Sequence, residues 1–135
     1  MTNKAMWVTS VDLERLRRLL DAPDLMRQRP YLETLSQELD HASIVETADI
    51  PANVVTMNST ARLIDLDSHE AMELTVTYPE AADISSGRIS VLAPVGTAIL
   101  GCREGDTVTW EVPAVVRSLR VERVLYQPEA AGQPD

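Results

Sequence analysis

The chain has 135 residues, 44% of them apolar, a single cysteine and a formal net charge of -9 at pH 7. That length suits one domain, or one domain with a small appendage, and it is enough to bury a core. The charge argues against affinity for a phosphate backbone, the lone cysteine excludes an intrachain disulfide and fits a reducing compartment, and no apolar run approaches the ~20 residues that cross a bilayer. With no phenylalanine, the core must be mostly aliphatic, with Trp7, Trp110 and the three tyrosines as its largest pieces. The opening MTNKAMWVTSVDLERL lacks the apolar stretch of a secretory signal, so a soluble, cytoplasmic protein is expected. Residues 1–30 carry six basic and four acidic side chains, net +2, and residues 31–135 carry six and seventeen, net -11. An acidic body with a mildly basic end points to a protein partner rather than to nucleic acid, although the same charges also serve solubility. Direct nucleic-acid binding should be weak at most.

In chain order, Leu13, Leu16 and Leu20 recur at helical spacing from Val11 to Leu20, with Thr9 or Ser10 as N-cap and Asp12 and Glu14 in the first turn. DAPDLMRQRP, punctuated by Pro23 and Pro30, reads as a loop. Leu32, Leu35, Leu39 and Ala42 form a second apolar seam, with Pro30 well placed for a helix start. Two short helices with facing leucine stripes predict an antiparallel hairpin over residues 1–48, a short coiled-coil-like arm whose helices are marginal alone and need each other. After ADIPAN the hydrophobic period becomes two. VVTM, ARLIDL and AMELTVTY predict strands, and Met72, Leu74, Val76 and Tyr78 alternate with the wet side chains Glu73, Thr75 and Thr77. Pro94 suits the first turn of a short helix that Gly101 can end, and Gly105-Asp106 turns the chain into a strand through Val108, Trp110 and Val112. Leu119 and Val121 open a last strand ending near Tyr126, and QPEAAGQPD is a polar tail. The fold class is therefore α+β, a helical hairpin followed over residues 49–135 by a twisted antiparallel sheet. The small residues Gly96 and Ala98 let the Pro94 helix lie close against the sheet's apolar face.

The stretch RISVLAPVGTAILGCREGDTVTWEVP resembles the carboxy-terminal domain of the bacterial Gre transcript-cleavage factors. Ile89, Ser90, Pro94, Ala98, Leu100, Gly101, Gly105, Asp106 and Pro113 carry the likeness. With its short hairpin, VVTMNS, APVG and a terminal YQPEAAG, nearly the whole chain resembles the Rnk family, Gre-like regulators of nucleoside diphosphate kinase that bind RNA polymerase. The resemblance implies an FKBP-like sheet around a short helix, and docking on RNA polymerase near its secondary channel through Ser90, Leu92, Ala93 and Pro94. The family's acid and serine before the proline are Leu92 and Ala93 here, which implies an apolar contact in place of a charge-assisted one. A monomer acting as a transcription regulator is expected.

Gre factors bring carboxylates on a long coiled-coil tip to the polymerase active site. Here the tip of the hairpin holds Asp21, Asp24, Arg27 and Arg29. Helices of roughly 11–13 residues make an arm of only ~16–20 Å, the two arginines oppose metal capture, and Pro23 breaks the tip into a local turn. Turn-capping roles for the two aspartates are expected instead, and no metal, cofactor or catalytic residue is assigned. Transcript cleavage survives as an alternative to be tested, as does a protein-interaction module that regulates nucleoside diphosphate kinase. His41 and His69 lack ligand-spaced partners and read as surface residues, Cys102 as a small buried side chain, and Asn58 as a turn residue despite its sequon. Arg15, Arg17 and Arg18 read as a solvated face, with contact to an acidic rim as the rival. No phosphate-cradling glycine motif is present, so kinase activity is not expected. Scarce aromatics speak against a prolyl isomerase pocket.

Overall fold

The computed structural model describes residues 7–112, 115–128 and 130. The side chain of Trp110, Pro113 and most of the terminal EAAGQPD lie outside the described residues, so the expected places of Trp110 in the core and of the tail are not assigned. Two short strands, β1 (Trp7–Val8) and β2 (Ser43–Ile44), pair in parallel where the chain runs into and out of the helices α1 (Ser10–Leu20), α2 (Pro23–Gln28) and α3 (Leu32–Asp40). Beyond them come β3 (Thr60–Asp65), β4 (Ala71–Thr77), β5 (Arg88–Ser90), α4 (Pro94–Ile99), β6 (Thr107–Val112) and β7 (Val115–Tyr126). The five later strands form one sheet in the order β5-β4-β3-β7-β6.

Local chemistry explains most of these elements. Thr9 caps α1, its Oγ1 accepting from the Asp12 N–H at 3.3 Å. The stretch expected to be a loop contains α2. Pro23 supplies the preset φ of a first helical turn, Asp24 and Arg27 pair across three residues, and Pro30 stops the helix that Pro23 begins. Positive φ at Asn58 (65°) and His69 (64°) makes the two turns around β3, and the buried Asp65 steadies the second by accepting from the Asp67 and Ser68 N–H groups. Gly101, at φ 85°, ends the α4 segment in the left-handed conformation expected of it.

Three expectations about the sheet are corrected. The VVTM run is not a strand. Val54 makes an isolated bridge to Arg103, and Val55 exchanges backbone hydrogen bonds with Gly101 and Cys102, so the run is an extended segment buried beneath the turn after α4. The sheet is not wholly antiparallel, because β5 lies parallel to β4. The chain between them makes a full return through two 3-10 turns, Pro79–Ala81 and Ile84–Ser86. Thr77, expected on the wet face, is buried where β5 continues past it, its backbone carbonyl accepting from Val91. Among the tyrosines only Tyr78 is fully buried; Tyr126 is exposed.

The helices also depart from the expected free-standing seam. Leu16, Leu20, Leu32, Leu35 and Leu39 belong to one buried cluster with Leu63, Val76, Ile99, Leu119 and Val121. The leucine stripes therefore face the sheet and α4 as well as each other, which gives short helices the burial that two alone would lack. α4 completes that core through Ile99 and Leu100. No helix among the described residues is long and apolar enough to cross a membrane.

Candidate docking site

The loop from Ser90 to Pro94 joins β5 to α4 and is held by its own backbone. The Ser90 hydroxyl accepts from the Leu92 N–H at 3.0 Å, and the Ala93 N–H donates to the Ser90 carbonyl at 3.0 Å. Ala93 is the N-cap of α4, Pro94 opens it, and Thr97 ties the helix back by donating from Oγ1 to the Val91 carbonyl at 2.6 Å. Gly96 permits this closeness, since a Cβ there would sit 2.3 Å from the Ser90 carbonyl oxygen. Ala98, the other small residue, gives its carbonyl to the Cys102 thiol at 3.4 Å.

Leu92 does not offer the apolar contact expected of it. Its side chain is 7% exposed and part of the core, so the loop presents the Leu92 carbonyl instead. Two residues from the far end of the helical segment reach that carbonyl: the Tyr31 hydroxyl donates to it, and the Arg29 guanidinium lies 3.5 Å away. Partial burial holds the Tyr31 hydroxyl above its ordinary pKa, against the opposing pull of Arg29, so it remains a donor through the neutral range. The supposed tip and the supposed docking loop, read from sequence as separate features, thus meet at one main-chain oxygen.

The other tip residues are placed locally. Asp21 is the C-cap of α1, its N–H donating to the Arg18 carbonyl, and Asp24 pairs with Arg27 at the surface. Further contacts fix the helices on the body. The Tyr78 hydroxyl donates to Asp12 Oδ1 at 2.8 Å, inside the protein, and Arg15 lies 3.8 Å from the centre of the Tyr78 ring. Arg103 sits 4.2 Å over Trp7. Arg17 pairs with Asp40 at 2.5 Å and Arg18 with Glu14, so of the three helix arginines expected on a solvated face only Arg15 turns to the body. Sequence reasoning missed Tyr31, Asp12 and Tyr78. A tyrosine directly after Pro30 and an acid in a first turn were visible, but their partners lie 61 and 66 residues away in the chain.

Among the described residues no three His, Cys, Asp or Glu side chains are grouped to hold a metal. His41 bonds to the Gln37 carbonyl of its own helix, His69 stands in an exposed turn, and Cys102 is buried. The recess between α1 and the body, lined by Trp7, Leu16, Met57 and Gly101, is largely apolar, and its one carboxylate, Asp12, is already engaged.

Comparison with known proteins places this arrangement. Residues 50–126 match the family model "Transcription elongation factor, GreA/GreB, C-term", and residues 5–45 match "Rnk N-terminus". The chain is 38% identical over 133 residues to the regulator of nucleoside diphosphate kinase of Escherichia coli K12, covering 98% of this chain and 97% of that protein. It is 34% identical over 96 residues to transcription elongation factor GreA of Thermodesulfovibrio yellowstonii, covering 71% of this chain and 61% of the relative. Among solved structures, a prokaryotic GreA/GreB transcription elongation factor from Nitrosomonas europaea superposes with a TM-score of 0.76 at 40% identity, over 90% of this chain and 98% of that one.

Proposed function

Because this chain belongs to the GreA/GreB transcription elongation factor family, with an Rnk-type N-terminus, we propose that it is a non-enzymatic transcription regulator that docks on RNA polymerase near the secondary channel. The docking element is the FKBP-like carboxy-terminal module, residues 49–135, through Ser90, Ala93 and Pro94, with Leu92 contributing by its main chain while its side chain anchors the loop in the core. The helical segment, residues 1–48, stands beside the channel as a monomer's short appendage, in the cytoplasm. Occupying the position that longer Gre factors need, the protein excludes them without delivering carboxylates to the active site and without requiring a cofactor.

The observation that carries this reading is the shortness and attachment of the helices. The longest has 11 residues, about 16 Å at 1.5 Å per residue, and its leucines are buried against the body rather than along a projecting rod. Of the two candidate carboxylates, Asp24 is ion-paired with Arg27 at the surface, while Asp21 sits at the C-terminus of α1, where its backbone N–H, not its carboxylate, makes the cap. The relatives are named as regulators and transcription factors, in keeping with a protein that binds rather than catalyses.

The test is retention of the purified chain by immobilised RNA polymerase, followed by titration with a Gre factor. Binding, displacement by the Gre factor and weakening by Pro94→Glu are expected, with no shortening of transcripts in a stalled elongation complex. Failure of wild-type protein to bind refutes the proposal. Shortened transcripts lost on Asp21→Ala/Asp24→Ala would establish a weak cleavage stimulator instead. The name of the Escherichia coli relative favours a second reading, an interaction module that acts on nucleoside diphosphate kinase. Binding to that kinase with no displacement by a Gre factor would select it.

A further inference from the structure

Arginines in this acidic chain are mostly committed. Arg17, Arg18, Arg27, Arg62 and Arg88 form ion pairs, and Arg15 and Arg103 lie over aromatic rings. Arg29 forms no ion pair among the described residues, and Asp24, the acid of the same helix, pairs with Arg27. The Arg29 contact to the Leu92 carbonyl is long, at 3.5 Å, and the guanidinium also engages the Tyr31 hydroxyl, which together leave most of its five N–H donors for a partner. Arg120 and Arg123 also stand outside the ion pairs, but they belong to the middle of β7, in register with Ile64 and Arg62 of β3.

We infer that Arg29 is the electrostatic contact of the docking surface, and that it takes a carboxylate of the polymerase. The inference rests on the docking reading given above and adds to it a residue from outside the carboxy-terminal module. The position of Arg29 is built rather than accidental. It ends α2, its own N–H donating to the Leu25 carbonyl. Pro30 then restricts the backbone, and Tyr31 is fastened to the same carbonyl that the guanidinium approaches. The residue itself is exposed, beside a loop whose Ala93, Pro94 and Val95 are half-buried. The resulting surface is a small apolar patch with one cation at its edge, which complements a carboxylate flanking an apolar depression. On the docking reading the facing surface is protein, so the counter-charge offered to Arg29 is a carboxylate rather than a phosphate.

The experiment measures binding of the full chain to immobilised RNA polymerase at several salt concentrations, with circular dichroism confirming that each variant folds. Arg29→Glu should weaken binding about tenfold or more and flatten its salt dependence, and Arg29→Lys should fall between, since a point charge replaces a fork of donors. Tyr31→Phe, which leaves the charge but loosens its mounting, should weaken binding a few-fold, on the order of one hydrogen bond. Wild-type binding with Arg29→Glu equal to it within twofold overturns this inference while leaving the docking reading intact. No wild-type binding overturns both. If instead the chain binds a single-stranded RNA oligonucleotide and Arg29→Glu abolishes that, the ligand is a phosphate and the carboxylate assignment is wrong.

Discussion

The sheet with α4 and the three N-terminal helices are fastened by different means. Ladders over five strands and turns with positive φ hold the sheet. The helices are joined to it by buried leucines and by individual side chains: Tyr78 on Asp12, Arg15 on Tyr78, Arg103 on Trp7 and Tyr31 on the Leu92 carbonyl. The first kind of fastening follows from short-range patterns and the second from contacts between residues far apart in sequence. A family module can therefore stay recognisable while the way an appendage sits on it is set by a few residues.

If the buried leucines do join the helices to the sheet, the two regions must unfold together. Leu35 in α3 and Leu63 in β3 are both 0% exposed and share one cluster. Each Leu→Ala change should cost about 2–5 kcal/mol and shift one common urea transition, read by circular dichroism and tryptophan fluorescence together. Two transitions, with Leu35→Ala moving only one, would show that the helices unfold alone. A smaller effect sharpens the joint itself. Tyr78→Phe removes the donor to a carboxylate that is 4% exposed and should cost about 1–3 kcal/mol, measured as a lower denaturation midpoint. No change would mean that packing alone seats α1.

The smallest effect concerns pH. Tyr31 has its pKa raised by burial above 10.0, so its neutral form is favoured in the folded protein. The stability this contributes is fully present below the unfolded value and is lost as pH rises through the folded one. Thermal midpoints between pH 8 and 11 should therefore fall on the alkaline side, and Tyr31→Phe should flatten that fall. Parallel profiles for the two proteins would mean that Tyr31 titrates as it does in the unfolded chain.

The same division governs what could be read from the amino acids. Leucines at 16, 20, 32, 35 and 39 announced two helices and the face they bury, and the run ARLIDL between its turn signals announced β3. Pro94 and Gly101 bracketed α4, because each acts on its own backbone. α2 was missed since six residues between prolines carry too little periodicity to distinguish a helix from a loop. The parallel pairing of β5 was missed because three residues show no register, and the course of the return from Thr77 to Arg88 decides it. Of the candidate site, the backbone loop was legible and its partners were not. Leu92 was assigned an outward role because nothing local states which way a single leucine turns, and the Tyr31 contact depends on the whole fold being in place.

Cys102 gives the molecule a property beyond its fold. The chain's one sulfhydryl lies at 0% exposure beneath the turn that follows α4. A thiol-reactive dye can label it only when that region opens. The rate of labelling is then a native clock for core breathing, running without any engineered probe, and it can be timed with and without a bound partner.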